Sequence, residues 1–248
     1  MVQYRLYEVS ETAPLVIFTH GIGEYGVLYE GFAKTLNQAG YSVILYDVRG
    51  HGSSLPLGVL KSYKHLMDDL DEILLKEKKN RKVYLIGHSL GALISHLYTV
   101  SRPGITGVVS IGYHYHRIFA LKWLGFLLPN KKLHLNWADK RSRHEKTDAE
   151  IHDPMLLKYV TYKMVSETID KANQIIHKQL KSYPSDLLVI HGGSDQIVPI
   201  DNAYALYDRA HTKSKSILIY PDSYHDVLFD IDQTLVTKDI IDWLNITK

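Results

Sequence analysis

One stretch decides the fold of this 248-residue chain: Lys82-Val-Tyr-Leu-Ile-Gly-His-Ser-Leu-Gly-Ala-Leu-Ile-Ser-His-Leu-Tyr98. Residues 83–86 are apolar and partly β-branched and predict a buried strand, and the apolar residues after Gly91 are spaced as in a helix. Ser89 lies at the apex of the tight turn between them, with Gly87 and Gly91 on either side. Glycines there let strand and helix approach closely, so that the turn holds Ser89 strained and exposed. This strand–turn–helix pattern is typical of a serine nucleophile.

A second buried strand, Pro14-Leu-Val-Ile-Phe-Thr19, leads into the loop His20-Gly-Ile-Gly-Glu24. Glycines directly after a buried strand let the backbone come close to a ligand and turn its N–H groups outward. Taken alone, the loop is equally compatible with a plain strand-to-loop turn. Paired with the Ser89 turn, it is expected to supply one oxyanion donor, the Ile22 N–H, while the Leu90 N–H supplies the other.

Two other strand ends carry the residue types that activate a serine. Asp195 follows the apolar strand 186–190, and His225 follows the strand 216–220. A buried Asp fixes the tautomer of an imidazole and stabilises the imidazolium that forms when the ring takes a proton. The chain order Ser, Asp, His, each at a strand exit, therefore predicts Ser89, Asp195 and His225 as a catalytic triad. The alternative for Asp195 is a structural role at the start of the helix that follows it.

The fold class follows from the alternation of strands and helices. Buried strands alternate with helical patterns from residue 14 to 111, which predicts an α/β fold with a doubly wound, mostly parallel sheet. Such a sheet brings Ser89 and the Ile22 loop to one edge. Residues 1–112 and 179–248 are assigned to the core, and 113–178, without a clear β pattern, to a helical cap over the sheet edge. The cap is expected to hold helical stretches at 117–128, 154–165 and 166–180.

Five residues are candidates for binding substrate. Trp123, Phe126 and Trp137 in the cap would line an apolar pocket, although they fit a small core of the cap equally well. Gly21 and His88, beside the predicted oxyanion loop and nucleophile, complete the set. A cap helix with an exposed apolar face would also allow peripheral contact with lipid surfaces.

Composition limits the other functional classes. The net charge of +2, without a concentrated basic run, argues against nucleic acid as the main partner. Cysteine is absent, which excludes disulfides, thiolate nucleophiles and Cys-based metal sites. His114 and His116 lack a third ligand, so no metal site is predicted. No apolar signal core begins the chain and no stretch is long enough to span a bilayer, so the expected location is cytoplasmic.

The loop Asp47-Val-Arg-Gly-His-Gly-Ser53 has the glycines of a phosphate-binding loop. It lacks the Lys-Ser/Thr pair that such a loop uses to hold a nucleotide. We therefore interpret it as a structural turn, with Asp47 and Arg49 as a candidate ion pair.

Taken together, these motifs resemble the monoacylglycerol lipase and lysophospholipase branch of the α/β-hydrolases, which is often grouped with the serine aminopeptidases. The resemblance covers most of the chain and implies Ser89 as nucleophile, Asp195 as acid partner and His225 as base. It also implies Ile22 and Leu90 as oxyanion donors. The cap looks short and unlike the lids of that branch. The segments that carry the resemblance are His20-Gly-Ile-Gly-Glu24, Gly40-Tyr41, Asp47-x-Arg49-Gly-His-Gly-x-Ser54, Gly87-His-Ser-Leu-Gly91, Asp153-Pro154, His191-Gly-Gly-x-Asp195-x-x-Val-Pro199 and Tyr224-His225-Asp226.

The expected activity is hydrolysis of a carboxylic ester through an acyl-enzyme, without metal or organic cofactor. The resemblance implies a small-molecule substrate, a monoacylglycerol, a lysophospholipid or a similar acyl ester. Two alternatives stay open. The same triad serves aminopeptidases, amidases and thioesterases, and Asp148, Glu150 and Asp153 are acids that would hold a free amine. They fit a solvated helix start as well. A non-catalytic binding protein on this fold would have no need of all three triad residues.

Overall fold

A seven-stranded sheet runs through the computed structural model, which describes residues 2–247. Its spatial order is β1-β3-β2-β4-β5-β8-β9, with β1 antiparallel to β3 and the other neighbours parallel. The expected α/β class with a mostly parallel sheet is confirmed. The strands are β1 (Tyr4–Tyr7), β2 (Leu15–Thr19), β3 (Ser42–Tyr46), β4 (Val83–His88), β5 (Gly107–Ile111), β6 (Lys132–His134), β7 (Tyr159–Thr161), β8 (Asp186–Gly192) and β9 (Lys215–Tyr220).

Helices cover both faces of this sheet. Alternate residues of β2 show the division: Leu15 and Ile17 belong to the core under α2 and α3, while Val16 and Phe18 belong to the core under α1 and α9. Both faces are buried, which is why the inner strands are continuously apolar. The helices are α1 (Glu30–Gln38), α2 (Lys64–Glu77), α3 (Leu90–Ser101), α4 (Phe119–Leu127), α5 (Asp148–Ile151), α6 (Tyr162–Val165), α7 (Asn173–Gln179), α8 (Asp201–Arg209) and α9 (Gln233–Thr247). Within residues 2–247, no helix combines the length and apolarity that crossing a membrane requires.

The segment between β5 and β8 differs in part from the sequence prediction. A π-helical stretch, Ser166–Ala172, runs into α7, so the expected helical region at 166–180 is confirmed. The helix expected at 154–165 is wrong over most of its length, because β7 lies there and pairs with β6 in a small antiparallel sheet. Strands of three residues are too short to give a readable alternation of apolar and polar side chains. The division of the chain into core and cap stays a prediction.

The suggested ion pair in the loop after β3 is also wrong. Asp47 instead accepts hydrogen bonds from the backbone N–H groups of Gly26 and Ser53, at 2.8 Å each. Arg49 pairs with Asp69 on α2. Both carboxylate oxygens of Asp47 thus accept hydrogen bonds from backbone N–H groups, and the arginine pairs with an acid on an element that is distant in sequence.

Backbone packs closely against backbone at the turn between β4 and α3. A Cβ atom on Gly91 would lie 1.9 Å from the carbonyl oxygen of Thr19, and one on Gly87 would lie 2.2 Å from the carbonyl of Gly91. Real Cβ atoms never come so close to backbone atoms. The sequence-based argument that this turn requires glycine is confirmed at both positions.

Replacing Gly91 with Ala is expected to lower the free energy of unfolding by about 3 kcal/mol or more, because α3 must move away from β2. Gly31→Ala is the matched control, since Gly31 lies within α1 and nothing approaches its added methyl within 4 Å. It should stabilise the helix by about 0.5–1 kcal/mol. Urea unfolding of both variants measures the difference, and equal stabilities would contradict the steric argument.

Candidate active site

Ser89 lies between β4 and α3 in a backbone conformation that L-residues rarely adopt, with φ 53° and ψ −111°. Its N–H donates to the Ile111 carbonyl at 2.7 Å, and its carbonyl accepts from the Leu93 N–H at 3.2 Å. Such strain costs about 1–3 kcal/mol and persists only where the surroundings enforce it. The strand–turn–helix expected around Ser89 is therefore present.

Asp195 and His225 meet at the carboxyl ends of neighbouring strands, after β8 and β9. The His225 Nδ1 lies 2.7 Å from Asp195 Oδ2, and Asp195 Oδ1 accepts from the N–H groups of Ile197 and Val198 at 2.8 Å each. Burial acts to raise the pKa of Asp195, but the contacts with the His225 ring, with His191 and with these donors prevail and hold it well below its ordinary value. The carboxylate is thus fixed on both oxygens, and Nδ1 of His225 carries a proton toward it.

The His225 ring and Ser89 face the same cavity, which has a volume of about 460 Å³. The ring lies against Gly112, whose φ is +60° and whose added Cβ would be 3.1 Å from His225 Cε1. In this conformation the hydroxyl of Ser89 is not hydrogen-bonded to the His225 ring. The three side chains expected to form a triad converge on one edge of the sheet, and their catalytic roles stay a prediction.

The loop after β2 borders the same cavity through Gly21 and Ile22. It is held by the buried His20, whose Nδ1 lies 2.8 Å from the Gly21 carbonyl and whose Nε2 accepts from the Val48 N–H at 3.0 Å. Burial lowers the pKa of His20, consistent with a neutral ring. No hydrogen bond found between described residues uses the N–H of Ile22 or of Leu90. Ile22 borders the cavity, and Leu90 directly follows Ser89, which also borders it.

A buried charged network adjoins Ser89; of its residues, only His88 was predicted to belong to the site, as a substrate-binding residue. Glu24 Oε2 accepts from the Gly21 N–H at 2.6 Å and from the Tyr29 hydroxyl at 2.7 Å, and that hydroxyl lies 3.0 Å from His88 Nδ1. Burial acts against both charges, but their mutual attraction prevails. It lowers the pKa of Glu24 to about 2 and raises the pKa of His88 to about 9. In the sequence, Glu24 itself indicates such a network, because an acid in a glycine-rich loop directly after a buried strand needs a partner when it is buried.

Of the predicted substrate-binding residues, Gly21, His88 and Trp137 line this cavity, and two do not. Trp123 and Phe126 are 62% and 76% exposed and line a different cavity on the outside of α4. The expectation that they line the pocket is wrong, because α4 turns Leu121 and Gly125 inward and these rings outward. Other residues that line the cavity were not predicted from the sequence: Glu24, Leu133, His134, Leu135, Asn136, Asp139, Arg141, Ser142, Lys146, Gln196, Ile197 and Asp226.

The chain is similar in sequence and in structure to known proteins. The profile of the family described as serine aminopeptidase, S33, matches residues 10–232. The chain is 26% identical to a monoacylglycerol lipase of Mycolicibacterium smegmatis, over 93% of this chain and 87% of that one. It is 27% identical to human monoglyceride lipase, over 89% and 78% of the two chains. The crystal structure of Paleococcus ferrophilus monoacylglycerol lipase superposes with a TM-score of 0.86, at 25% identity and with both chains fully covered.

Asp195→Asn is expected to lower the free energy of unfolding at neutral pH by about 2 kcal/mol, because buried donors lose their charged acceptor. The native pKa lies below the ordinary 3.8, so this stabilisation is complete above pH 3.8 and is lost as the pH falls below it. The wild type and the variant should therefore converge in stability in acid. Urea unfolding across the pH range measures this, with Asp242→Asn as an exposed control; a gap that widens in acid would contradict it.

Proposed function

The chain belongs to the serine aminopeptidase S33 family of α/β-hydrolases, in its monoacylglycerol lipase-like branch, and is a carboxylic-ester hydrolase. On that premise we propose that it cleaves the ester of a single-chain lipid, a monoacylglycerol or a lysophospholipid. Ser89, His225 and Asp195 act as its catalytic triad. One observation carries the proposal: a carboxylate-anchored imidazole borders the same cavity as a strained, half-buried serine.

The first half of the reaction acylates Ser89. His225 Nε2 accepts the hydroxyl proton while Ser89 Oγ bonds to the ester carbonyl carbon, and Asp195 stabilises the resulting imidazolium through Nδ1. The carbonyl oxygen becomes an oxyanion, which the N–H groups of Ile22 and Leu90 bind. Collapse of this intermediate breaks the ester C–O bond. The leaving alcohol takes its proton from His225.

The second half releases the acid. A water molecule gives a proton to His225 Nε2 and adds to the acyl carbon, and the same two amides bind the new oxyanion. The Ser89–acyl bond breaks, His225 returns the proton to Ser89 Oγ, and the carboxylic acid leaves. Protons and electron pairs balance without a metal or an organic cofactor.

The walls of the cavity suit an amphiphile with one acyl chain. Leu133, Leu135 and Ile197 offer apolar contacts, while Lys146 and Asp226 lie on the polar side. Ligand pockets of this kind bind an apolar body and orient it through a few polar groups. A glycerol or phosphoglycerol head group would take the polar side, and the acyl chain would take the apolar side.

Peptide hydrolysis is the weaker proposal, because two of the three candidate acids of the cap already have partners. Glu150 closes a capping box with Thr147 and pairs with Arg143 at 2.9 Å. Asp153 accepts a hydrogen bond from the Tyr25 hydroxyl at 2.5 Å. Asp148 lies in the first turn of α5, where an acid stabilises the helix start. Two of the three carboxylates of this cluster are therefore already engaged.

Contact with a lipid surface belongs to the same proposal. Four apolar side chains of α4 point outward: Phe119, Trp123, Phe126 and Leu127 are 62–76% exposed. Lys122 lies among them, with its Nζ 5.7 Å from the centre of the Trp123 ring. Aromatic rings with lysines between them favour the boundary between lipid head groups and acyl chains. The face would bring the chain to the aggregates in which its substrates reside.

Wild-type protein should hydrolyse both p-nitrophenyl butyrate and a monoacylglycerol, and it should leave amino-acid anilides intact. Ser89→Ala should lower turnover of the aryl ester by about 10³-fold or more, because no nucleophile remains. Initial rates by absorbance measure this loss. Ser101→Ala, at the far end of α3, is the control and should retain full activity. Undiminished turnover by folded Ser89→Ala would remove Ser89 from the mechanism.

Replacing both Trp123 and Phe126 with Ser should weaken binding to phosphatidylglycerol–phosphatidylcholine vesicles by about tenfold or more, because two aromatic anchors are lost. Turnover of dissolved p-nitrophenyl butyrate should stay unchanged. Vesicle sedimentation measures the binding. Leu75→Ser serves as the control, since Leu75 is 88% exposed on α2 and lies outside this face. Equal loss in the control, or no loss in the double variant, would contradict a lipid-binding α4.

A further inference from the structure

The hydrogen bonds around His88 determine which atoms carry protons. The Tyr29 hydroxyl has one proton, and it donates that proton to Glu24 Oε2 at 2.7 Å. The Tyr29 oxygen therefore accepts from His88 Nδ1, at 3.0 Å. The other ring nitrogen, His88 Nε2, lies 3.2 Å from the His225 carbonyl oxygen, which only accepts. Both ring nitrogens act as donors, and an imidazole that donates from both nitrogens is an imidazolium.

The charges that face His88 agree with this assignment. The Glu24 carboxylate lies 3.6 Å from Nδ1, and Asp226 Oδ1 lies 3.9 Å from Nε2. Burial raises the pKa of Asp226, so Glu24 is the principal counter-ion. His20 and the adjoining His51 also feel the charge of Glu24, and both rings are neutral because burial lowers their pKa. Lys146 and Arg143 line a cavity together with Glu24 and Asp226, and each bears a positive charge that opposes a further proton in this region.

We propose that His88 is a positioning residue that stays protonated at neutral pH, holds the backbone of His225 and keeps the His225 ring neutral and able to act as a base. This inference rests on the proposed function, in which His225 is that base. The negative charge of Asp195, 2.7 Å away, favours protonation of the His225 ring. The positive charge of His88 opposes it, since the two ring centres lie 4.8 Å apart. The positive charge of His88 thus offsets the effect of Asp195 on the protonation of the His225 ring.

The protonation state is tested directly by the ¹⁵N shifts of the histidine rings in the wild-type protein at pH 7. Both nitrogens of His88 should have imidazolium shifts. His96 is an internal reference: it is equally buried, its ring contacts the hydroxyls of Tyr183 and Ser110 at 2.8 Å, and burial lowers its pKa to about 3. His96 should therefore be neutral in the same spectrum. A neutral His88 would overturn the proposal.

The influence on His225 is tested by the pH dependence of kcat/KM for p-nitrophenyl butyrate. Glu24→Gln removes the counter-ion and His88→Gln removes the cation, so each should move the acidic limb of the profile to higher pH by about one unit. Glu30→Gln, the same change in an exposed pair with Lys34, should leave the limb in place. A purely structural role would lower activity at every pH without moving the limb.

The proposed role of His88 and the proposed function of the chain are tested by different outcomes. Folded Glu24→Gln and His88→Gln with an unmoved acidic limb would overturn the role of His88. Full activity of Ser89→Ala would overturn the proposed function, while the ring shifts of His88 would still report its charge. Should neither variant fold, the wild-type shifts decide the charge of His88, and a neutral ring overturns the proposal by itself.

Discussion

The close contact between the start of α3 and the ends of β2 and β4 is the constraint on which the site depends. It requires glycine at positions 87 and 91, and it places Ser89 in a conformation with positive φ. The same contact brings the start of α3 beside the loop after β2, so that Ser89 and Ile22 border one cavity and the Leu90 amide directly follows Ser89. A single packing constraint thus positions the proposed nucleophile and both proposed oxyanion donors.

Two groups of buried charged and polar side chains meet at His225. Asp195 contacts the ring of His225, while His88 contacts its backbone carbonyl. Glu24, in the loop after β2, and Tyr29, in the turn that follows it, belong to the same group as His88. Charges buried in this way need partners with fixed geometry, because desolvation would otherwise neutralise them. The loops after β2, β4, β8 and β9 are therefore tied together by charge as well as by packing.

The sequence allowed the prediction of features that depend on local pattern. The apolar runs gave the strands, and the spacing around Ser89 gave the turn, because both depend on neighbours in the chain. The partners of Arg49 and Glu24 lie on other elements, and no spacing rule points to Asp69 or to His88. The outward direction of Trp123 and Phe126 depends on which side of α4 packs inward. Periodicity reveals that a helix has an apolar stripe, but it does not reveal whether a protein core or another surface covers it.

The central claim is that Ser89 is a nucleophile activated by His225, and covalent labelling with a fluorophosphonate tests it most directly. Mass spectrometry after proteolysis should find one adduct, on the peptide that contains Ser89. The rate of labelling should fall by about 10²-fold or more when His225 is replaced by Ala, because the serine loses its base. An unlabelled protein, an adduct on another residue, or an unchanged rate without His225 would contradict the account.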